Sequence, residues 1–426
     1  MERLLHYVWR YRLYNASSLT TTDGTPIEVI DPGLPNSNAG PDFFNAKIKV
    51  DQTVWAGGVE IHVKTSDWLL HKHNEDIAYD GVILHVTSCN DALIYRTNGE
   101  VIPQLVLDIP ASVRQQIAYL ERKDRTVACL DRLSEIEPMH IPMWMGALLG
   151  ERLERKTQDI LLLLSNYGND WNEVFYIILT RSFGCGLNSD AFEWLARSLP
   201  FRCIQKQRSS SSQVEALLFG QAGMLEESLP DHYYRLLQRE YKFLRYRFGL
   251  HPLDKSLFKS LRVRPGNFPH LKLAQLAAIW LMYDTLFSTL LEAHTPKEIK
   301  DCFRVELSDY WLNHYHFRYA SVPKEKQMGE SFLNIILINA VVPLLFAYGR
   351  KNNLPEYNER AVSLLEMIPA EQNSIVRLFE SKGVVVRNAC DSQSLIQLKR
   401  EYCEKKKCLY CRIGFQLLKR TVSGII

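Results

Sequence analysis

Between Asp42 and Lys64, apolar and polar residues alternate along the chain, the signature of strands that bury one face. Phe44, Ala46, Ile48 and Val50 alternate with Asn45, Lys47, Lys49 and Asp51. Asp51-Gln52-Thr53 reads as a turn, and Val54-Trp55 opens a second run that ends in Val59-Glu60-Ile61-His62-Val63-Lys64. Residues two apart on a strand share a face, so Glu60, His62 and Lys64 are expected on one side and Val59, Ile61 and Val63 on the other. Upstream, Leu4, Leu5, Val8 and Trp9 predict a leading helix within residues 2–14, and Ile27 to Ile30 a short strand. The turn-rich stretch from Asp31 to Gly40 predicts a loop that delivers the chain to Asp42. Downstream, residues 66–79 read as a polar connection, and Val82 to Thr87, rich in β-branched residues, as a central strand. Ala92 to Arg96 and Val101 to Leu107 flank Asn98-Gly99, which predicts a hairpin on a type I′ turn.

After Pro110 the period changes to that of amphipathic helices. Ser112 to Arg122, Trp144 to Leu164, Trp171 to Ser182, Ser189 to Ser198, Gln213 to Phe219 and Tyr233 to Phe248 all fit. In the last of these, Leu237, Tyr241, Leu244 and Phe248 form one apolar stripe. Leu271 to Ala293 and Phe332 to Tyr348 are apolar enough to be central helices, and three more follow over 358–367, 371–379 and 392–402. The pattern therefore predicts an α+β chain. A small mixed-sheet α/β domain over residues 1–125 precedes a large all-helical domain over 126–426, which would carry the C-terminal cysteines.

Composition narrows this picture only slightly. With 426 residues, two domains are the expectation, and 46% hydrophobic with 23% charged residues is ordinary for a globular chain. A net charge of +3 does not by itself mark a nucleic-acid binder. The uncharged run from Ser331 to Gly349 contains Asn334, Asn339 and Pro343, and is expected as a buried helix rather than a membrane span. Nine cysteines without a secretory signal point to reduced thiols and a cytoplasmic location.

Asp42 and Glu60 are candidate ligands for Mg²⁺ or Mn²⁺, because one or two carboxylates with substrate oxygens suffice for such ions. His62 or Lys64 would then position or deprotonate the attacking water. Four of the twelve histidines, His62, His71, His73 and His85, fall in the stretch 62–85. His71, His73, Asp76 and His85 are accordingly candidate ligands for zinc, manganese or iron. On a helix His71 and His73 would face apart, whereas on a loop both converge toward Asp42 and Glu60. Cys403, Cys408 and Cys411 have spacings that suit zinc or an iron–sulfur cluster, with Cys390 or a distant histidine as the fourth ligand. From Arg235 to Lys272, ten Lys or Arg residues face two acids, with aromatics interleaved, and Arg262 and Arg264 are the candidates for contact with DNA or RNA phosphates. No phosphate-cradling Gly-rich loop and no Gly-x-Ser-x-Gly elbow is present, which disfavours ATPase and α/β-hydrolase chemistry.

Pro41-Asp42, a hairpin, and then Glu60-x-His62 on the next strand resemble the PD-(D/E)XK nuclease superfamily over roughly residues 25–90. That resemblance implies a restriction-endonuclease-like sheet and metal-ligand roles for Asp42 and Glu60. His62 stands where that superfamily usually has lysine. The chain also resembles, nearly end to end, a bacterial family known as a domain of unknown function. The phrases that carry this likeness are Gly40-Pro41-Asp42-Phe43, Val59-Glu60-Ile61-His62, Ser66-Asp67-Trp68, His71-x-His73-x-x-Asp76, Ile83-Leu84-His85-Val86, Arg264-Pro265-x-Asn267-Phe268-Pro269 and Cys408-x-x-Cys411. The leading expectation is a divalent-metal-dependent, nuclease-like hydrolase of phosphodiesters. The alternatives are a non-catalytic nucleic-acid- or protein-binding scaffold and a His/carboxylate transition-metal hydrolase of a small molecule.

Overall fold

The computed structural model describes residues 1–36, 38–122 and 124–423. The chain divides into two compact units, one of Met1–Trp144, Ser381–Val384 and Leu398–Ile426, the other of Met145–Glu380 and Val385–Gln397. The C-terminal cysteine segment, expected with the helices, thus belongs to the sheet-bearing unit.

That unit opens with α1 (Glu2–Arg10), whose Leu5, Val8 and Trp9 are fully buried. Each side chain of that size contributes about 1.5–3 kcal/mol by leaving water. The strands are β1 (Ile27–Asp31), β2 (Leu34–Pro35), β3 (Phe43–Val50), β4 (Thr53–Ile61), β5 (Val82–Thr87) and β6 (Gln104–Val106). Their order is β1-β3-β4-β5-β6, with β2 beside β3 inside the stretch expected to be loop. β1, β3 and β4 pair antiparallel, whereas β4–β5 and β5–β6 are parallel, so the sheet is mixed as predicted.

Two local features shape the sheet at Asp42. Asn45 takes a left-handed φ of +56°, and the β3–β4 register shifts between Phe43 and Ala46. The resulting bulge bends β3 just after Asp42. Gly57 has no room for a side chain, since a Cβ there would stand 2.5 Å from Ile83 Cγ2 and 2.6 Å from the Gly81 carbonyl. A glycine is what allows β4 to approach β5 this closely.

The expected hairpin over 92–107 forms only next to its turn. Tyr95 and Val101 bridge antiparallel, the Arg96 amide donates to the Glu100 carbonyl at 2.9 Å and the Ile102 amide to the Ile94 carbonyl at 3.3 Å, whereas β6 beyond them pairs in parallel with β5. Gly99 takes a positive φ of +85° but Asn98 does not, so the turn is not of type I′. Side chains hold the loop in its own shape. Arg96 donates to the Asp80 carbonyl at 3.0 Å and to the Val82 carbonyl at 2.8 Å, and the Thr97 amide donates to Asp80 Oδ1 at 3.0 Å.

Two short helices complete the connections in this unit, α2 (Asp67–Leu70) and α3 (Ala111–Glu121), and α4 (His140–Asn166) follows. The second unit is helical. Its first elements are α5 (Trp171–Phe183), α6 (Ser189–Ser198), α7 (Phe201–Gln205), α8 (Ser211–Gln221), α9 (His232–Phe248) and α10 (Pro269–Met282). Asp170 caps α5 by accepting from the amides of Asn172 and Glu173, and Asp231 caps α9 by accepting from Tyr234. Gly249, at φ +62°, ends α9. The helix expected over 271–293 is broken, because α10 stops at Met282 and Leu286–Glu292 leaves at a bend of 79°. Phe175, Tyr176, Phe219, Trp280 and Trp311 lie in a continuous core. Among the described residues, the continuous helix Glu330–Asn352 is long and apolar enough to cross a membrane, and 72% of its apolar window is buried inside the protein.

Candidate metal centre

Glu60 and His62 project from the same side of the chain at the end of β4, as the alternation predicts. The face they share is not solvated. Glu60 is 5%, His62 2%, His73 9% and His85 0% exposed, which removes the reading of a polar outer strand face. β5 supplies His85, paired in register with Glu60, and its Nε2 lies 2.9 Å from His62 Nδ1. The segment after β4 folds back over this face. α2 ends at His71, Lys72 takes a left-handed φ of +60°, and His73 begins a single 3₁₀ turn. That one reversed residue brings together two imidazoles that a continuous helix would point apart.

The result is a cluster. One ring nitrogen from each of His62, His71 and His73 lies within 4.8 Å of the other two. His71 Nδ1 stands 3.1 Å from His62 Nε2. Glu60 Oε1 lies 3.5 Å from His62 Nε2 and 3.4 Å from His73 Nε2. Trp68, fully buried, meets His73 and His85 edge-on, and Tyr79 stacks on His73 at 3.8 Å. Aromatic walls on one side and the exposed His71 on the other leave the cluster open toward His71.

Asp42 lies next to this group and is clasped to Glu60 through the backbone. The Asp42 amide donates to Glu60 Oε2 at 2.9 Å, and the Ile61 amide donates to Asp42 Oδ2 at 2.9 Å. His6 of α1 faces the same carboxylate, with Nε2 3.3 Å from Asp42 Oδ2. His6 carries no sequence signal that separates it from a surface histidine; only the packing of α1 against β4 brings it here.

The electrostatics follow from burial. Burial and then the Asp42 charge push the Glu60 carboxyl up to about 8. Burial and then the neighbouring His71 and His73 push His62 down to about 4. Burial and His62 push His85 down to about 3, and burial with His71 lowers His73. Burial opposes protonation of His6, but its hydrogen bond and attraction to Asp42 win, and its pKa rises. Neutral imidazoles beside a carboxyl that ionises near a cation form a donor set ready for a divalent metal.

Several candidates fall outside this set. Lys64 is exposed: β4 ends at Ile61, and the Lys64 amide donates to Asp67 Oδ2 at 2.9 Å as the chain turns into α2. Strand alternation no longer governs its side chain. Asp76 is exposed and caps the next 3₁₀ turn by accepting from the Ala78 amide at 2.9 Å. His85 is not positioned as a ligand, because its Nε2 is turned to His62 Nδ1, away from the nitrogen that faces His71. Cys403, Cys408 and Cys411 lie in the same unit with Cys129, while Cys390 belongs to the second unit, its Sγ 3.8 Å from the Val362 carbonyl. Arg262, at φ +60°, and Arg264 sit exposed on the loop that leads into α10.

No curated protein and no solved structure matches the chain. A family model does match, over residues 2–374, and spans the sheet, the histidine cluster and most of the helices; the chain therefore belongs to the family described as "Protein of unknown function (DUF2851)".

Proposed function

We propose that the sheet-bearing unit is a divalent-metal-dependent hydrolase whose ion is zinc, manganese or iron, held by His62, His71, His73 and Glu60. The observation that carries this reading is the convergence of the three imidazole nitrogens, with Glu60 Oε1 within 3.5 Å of two of them. Such an ion, when bound, lowers the pKa of a water and polarises the bond to be cleaved. His85 fixes the His62 ring so that Nε2 faces the cluster. Trp68 and Tyr79 keep water from the inner side. Asp42, half-buried and paired with His6, is the group beside the cluster that takes up the proton of the attacking water. Elemental analysis of the purified protein, followed by hydrolysis assays on an activated phosphodiester and on DNA and RNA, tests this. His71→Ala and Glu60→Gln should each lose bound metal and activity together. Metal-dependent cleavage that survives both would overturn the assignment.

A second reading keeps Mg²⁺ and the PD-(D/E)XK likeness. It is favoured by the reciprocal backbone clasp between Asp42 and Glu60 on neighbouring strands of a mixed sheet. Magnesium keeps several waters and washes out, whereas an imidazole-bound transition metal persists through purification. Stable zinc, manganese or iron in the isolated protein therefore separates the two. A nucleic-acid substrate gains support from the solvent side of α9, where Arg239, Lys242 and Arg245 are exposed beside Phe243, 57% exposed, and Tyr246, 92% exposed. The scaffold reading rests on that same face alone and predicts salt-dependent nucleic-acid binding without cleavage.

A further inference from the structure

The C-terminal cysteines have a partner that their spacing does not reveal. Cys129 lies between α3 and α4 in sequence, and Cys403, Cys408 and Cys411 lie near the other end of the chain, yet all four occur in one unit. Each of the four thiols is within electrostatic reach of the other three. Cys403 and Cys411 are buried, and Cys129 and Cys408 are partly so.

The backbone around them is shaped to bring them together. Leu398–Cys403 is a π-helical turn, a form concentrated at functional sites because it costs a regular hydrogen bond. The chain then reverses: Lys406 takes a left-handed φ of +50°, and its amide donates to the Cys403 carbonyl at 3.3 Å. Cys408–Tyr410 is a 3₁₀ turn closed by the Cys411 amide, which donates to the Cys408 carbonyl at 3.2 Å. The last helix, Arg412–Ser423, starts directly on this turn. It does so only because Gly414 has no side chain, since a Cβ there would stand 2.2 Å from the Cys408 carbonyl oxygen.

Two contacts bind this knuckle to the Cys129 region. Cys408 Sγ donates to the Leu120 carbonyl of α3 at 3.2 Å, and the Lys406 ammonium bonds the Arg125 carbonyl. Arg132 near Cys129, Lys399 near Cys403 and Lys406 near Cys408 lie within charge–charge reach of the thiols, with Arg132 also bonded to Glu135, Lys399 to Glu404, and Glu121 opposing at Cys408. Such cations offset the negative charge that four thiolates bring to a metal.

We propose that Cys129, Cys403, Cys408 and Cys411 form a four-thiolate metal centre that takes a zinc ion or an iron–sulfur cluster and staples the C-terminal segment to the α3–α4 connection. Four of the nine cysteines gather in one unit from segments distant in sequence, a grouping that packing as small apolar groups does not require. The C-x₂-C knuckle supplies two ligands at the spacing both kinds of centre use. The site is distinct from the histidine cluster in donor chemistry, so the two are separable by variant.

The test uses the full-length protein purified without oxygen, with iron, zinc and acid-labile sulfide measured per chain. Iron with matching sulfide and broad visible absorbance identifies a cluster, and colourless stoichiometric zinc identifies a single ion; either supports the centre. Cys129→Ser should lose that metal as completely as Cys408→Ser does, while Cys390→Ser and His71→Ala retain it. Alkylation mapping of the unmodified protein guards against misfolded variants. Cys129, Cys403, Cys408 and Cys411 should be protected until a chelator is added, whereas the exposed Cys89 reacts at once. Full metal retention in Cys129→Ser would overturn the proposal, as would native protein holding neither zinc nor iron, or a disulfide within the quartet.

Discussion

Nδ1 of His71 lies 3.1 Å from Nε2 of His62, and the reversed Lys72 that follows turns His73 back to join them. Lys72 sits in the left-handed region at φ +60°, which costs an L-residue roughly 1–2 kcal/mol. Replacing it changes the geometry of the cluster without touching a donor atom. Lys72→Gly should bind metal as tightly as the parent or more tightly. Lys72→Ile should weaken binding about tenfold, because a β-branched residue resists that conformation further. Calorimetric titration with zinc or manganese distinguishes the two, and equal affinities would show that the reversed residue does not set the site.

In the proposed centre, His85 would act on the metal through His62. Its Nε2 lies 2.9 Å from His62 Nδ1, in a position that is fully buried. Groups that orient a ligating histidine in this way typically contribute about 10–100-fold to metal affinity. His85→Ala should reduce affinity within that range while the stoichiometry stays unchanged. A drop in stoichiometry would mean that His85 is itself a ligand.

Much of the sheet was legible in the sequence, because alternation reports which residues share a face whatever covers them. The strand that carries Glu60, the placement of Glu60 with His62, and the central strand at His85 all follow from it. What covers the second face was not legible. Strand alternation suggests a buried side and a wet side, but Gly57 lets β5 approach closely, and the segment after β4 folds His71 and, through the reversal at Lys72, His73 over the supposedly wet side. Lys64 dropped out because the strand ends three residues earlier than the pattern suggests, at Ile61. The Asn98-Gly99 hairpin is shorter than the pattern suggests, because its second arm continues into β6, which pairs with β5, and the Arg96 and Thr97 bonds tie the turn to the Asp80 region. Cys129 has no neighbouring cysteine in sequence, so only the tertiary fold identifies it as the fourth thiol.

Gly57 is a structural requirement. A methyl group there meets both Ile83 Cγ2 and the Gly81 carbonyl closer than any Cβ normally approaches. The carbonyl is backbone and cannot rotate away, so β4 and β5 must separate. Gly57→Ala should cost about 1–3 kcal/mol of stability, the usual range for overpacking. Because Glu60 and His85 face each other across that same strand pair, metal affinity should fall as well. Denaturant unfolding and metal titration of one variant measure both effects, and an unchanged midpoint would contradict the close approach.

The helical unit contains a pH-sensitive element of its own. His270, at the start of α10, has Nδ1 buried without a partner. Burial pushes its pKa down to about 4, with His316 and Lys255 acting in the same direction and Glu227 opposing them. The folded state holds the ring neutral, whereas the unfolded chain binds a proton near pH 6.5. The unfolded state therefore gains protons first as pH falls. The contribution to stability is complete above about pH 6.5 and is lost progressively toward pH 4, at no more than about 1.4 kcal/mol per pH unit. His270→Gln removes this titration. Its unfolding free energy, subtracted from that of the parent, should be flat above pH 6.5. Between pH 6.5 and pH 4 the difference should turn steadily against the parent, and a pH-independent difference across that window would show that His270 is protonated as easily folded as unfolded.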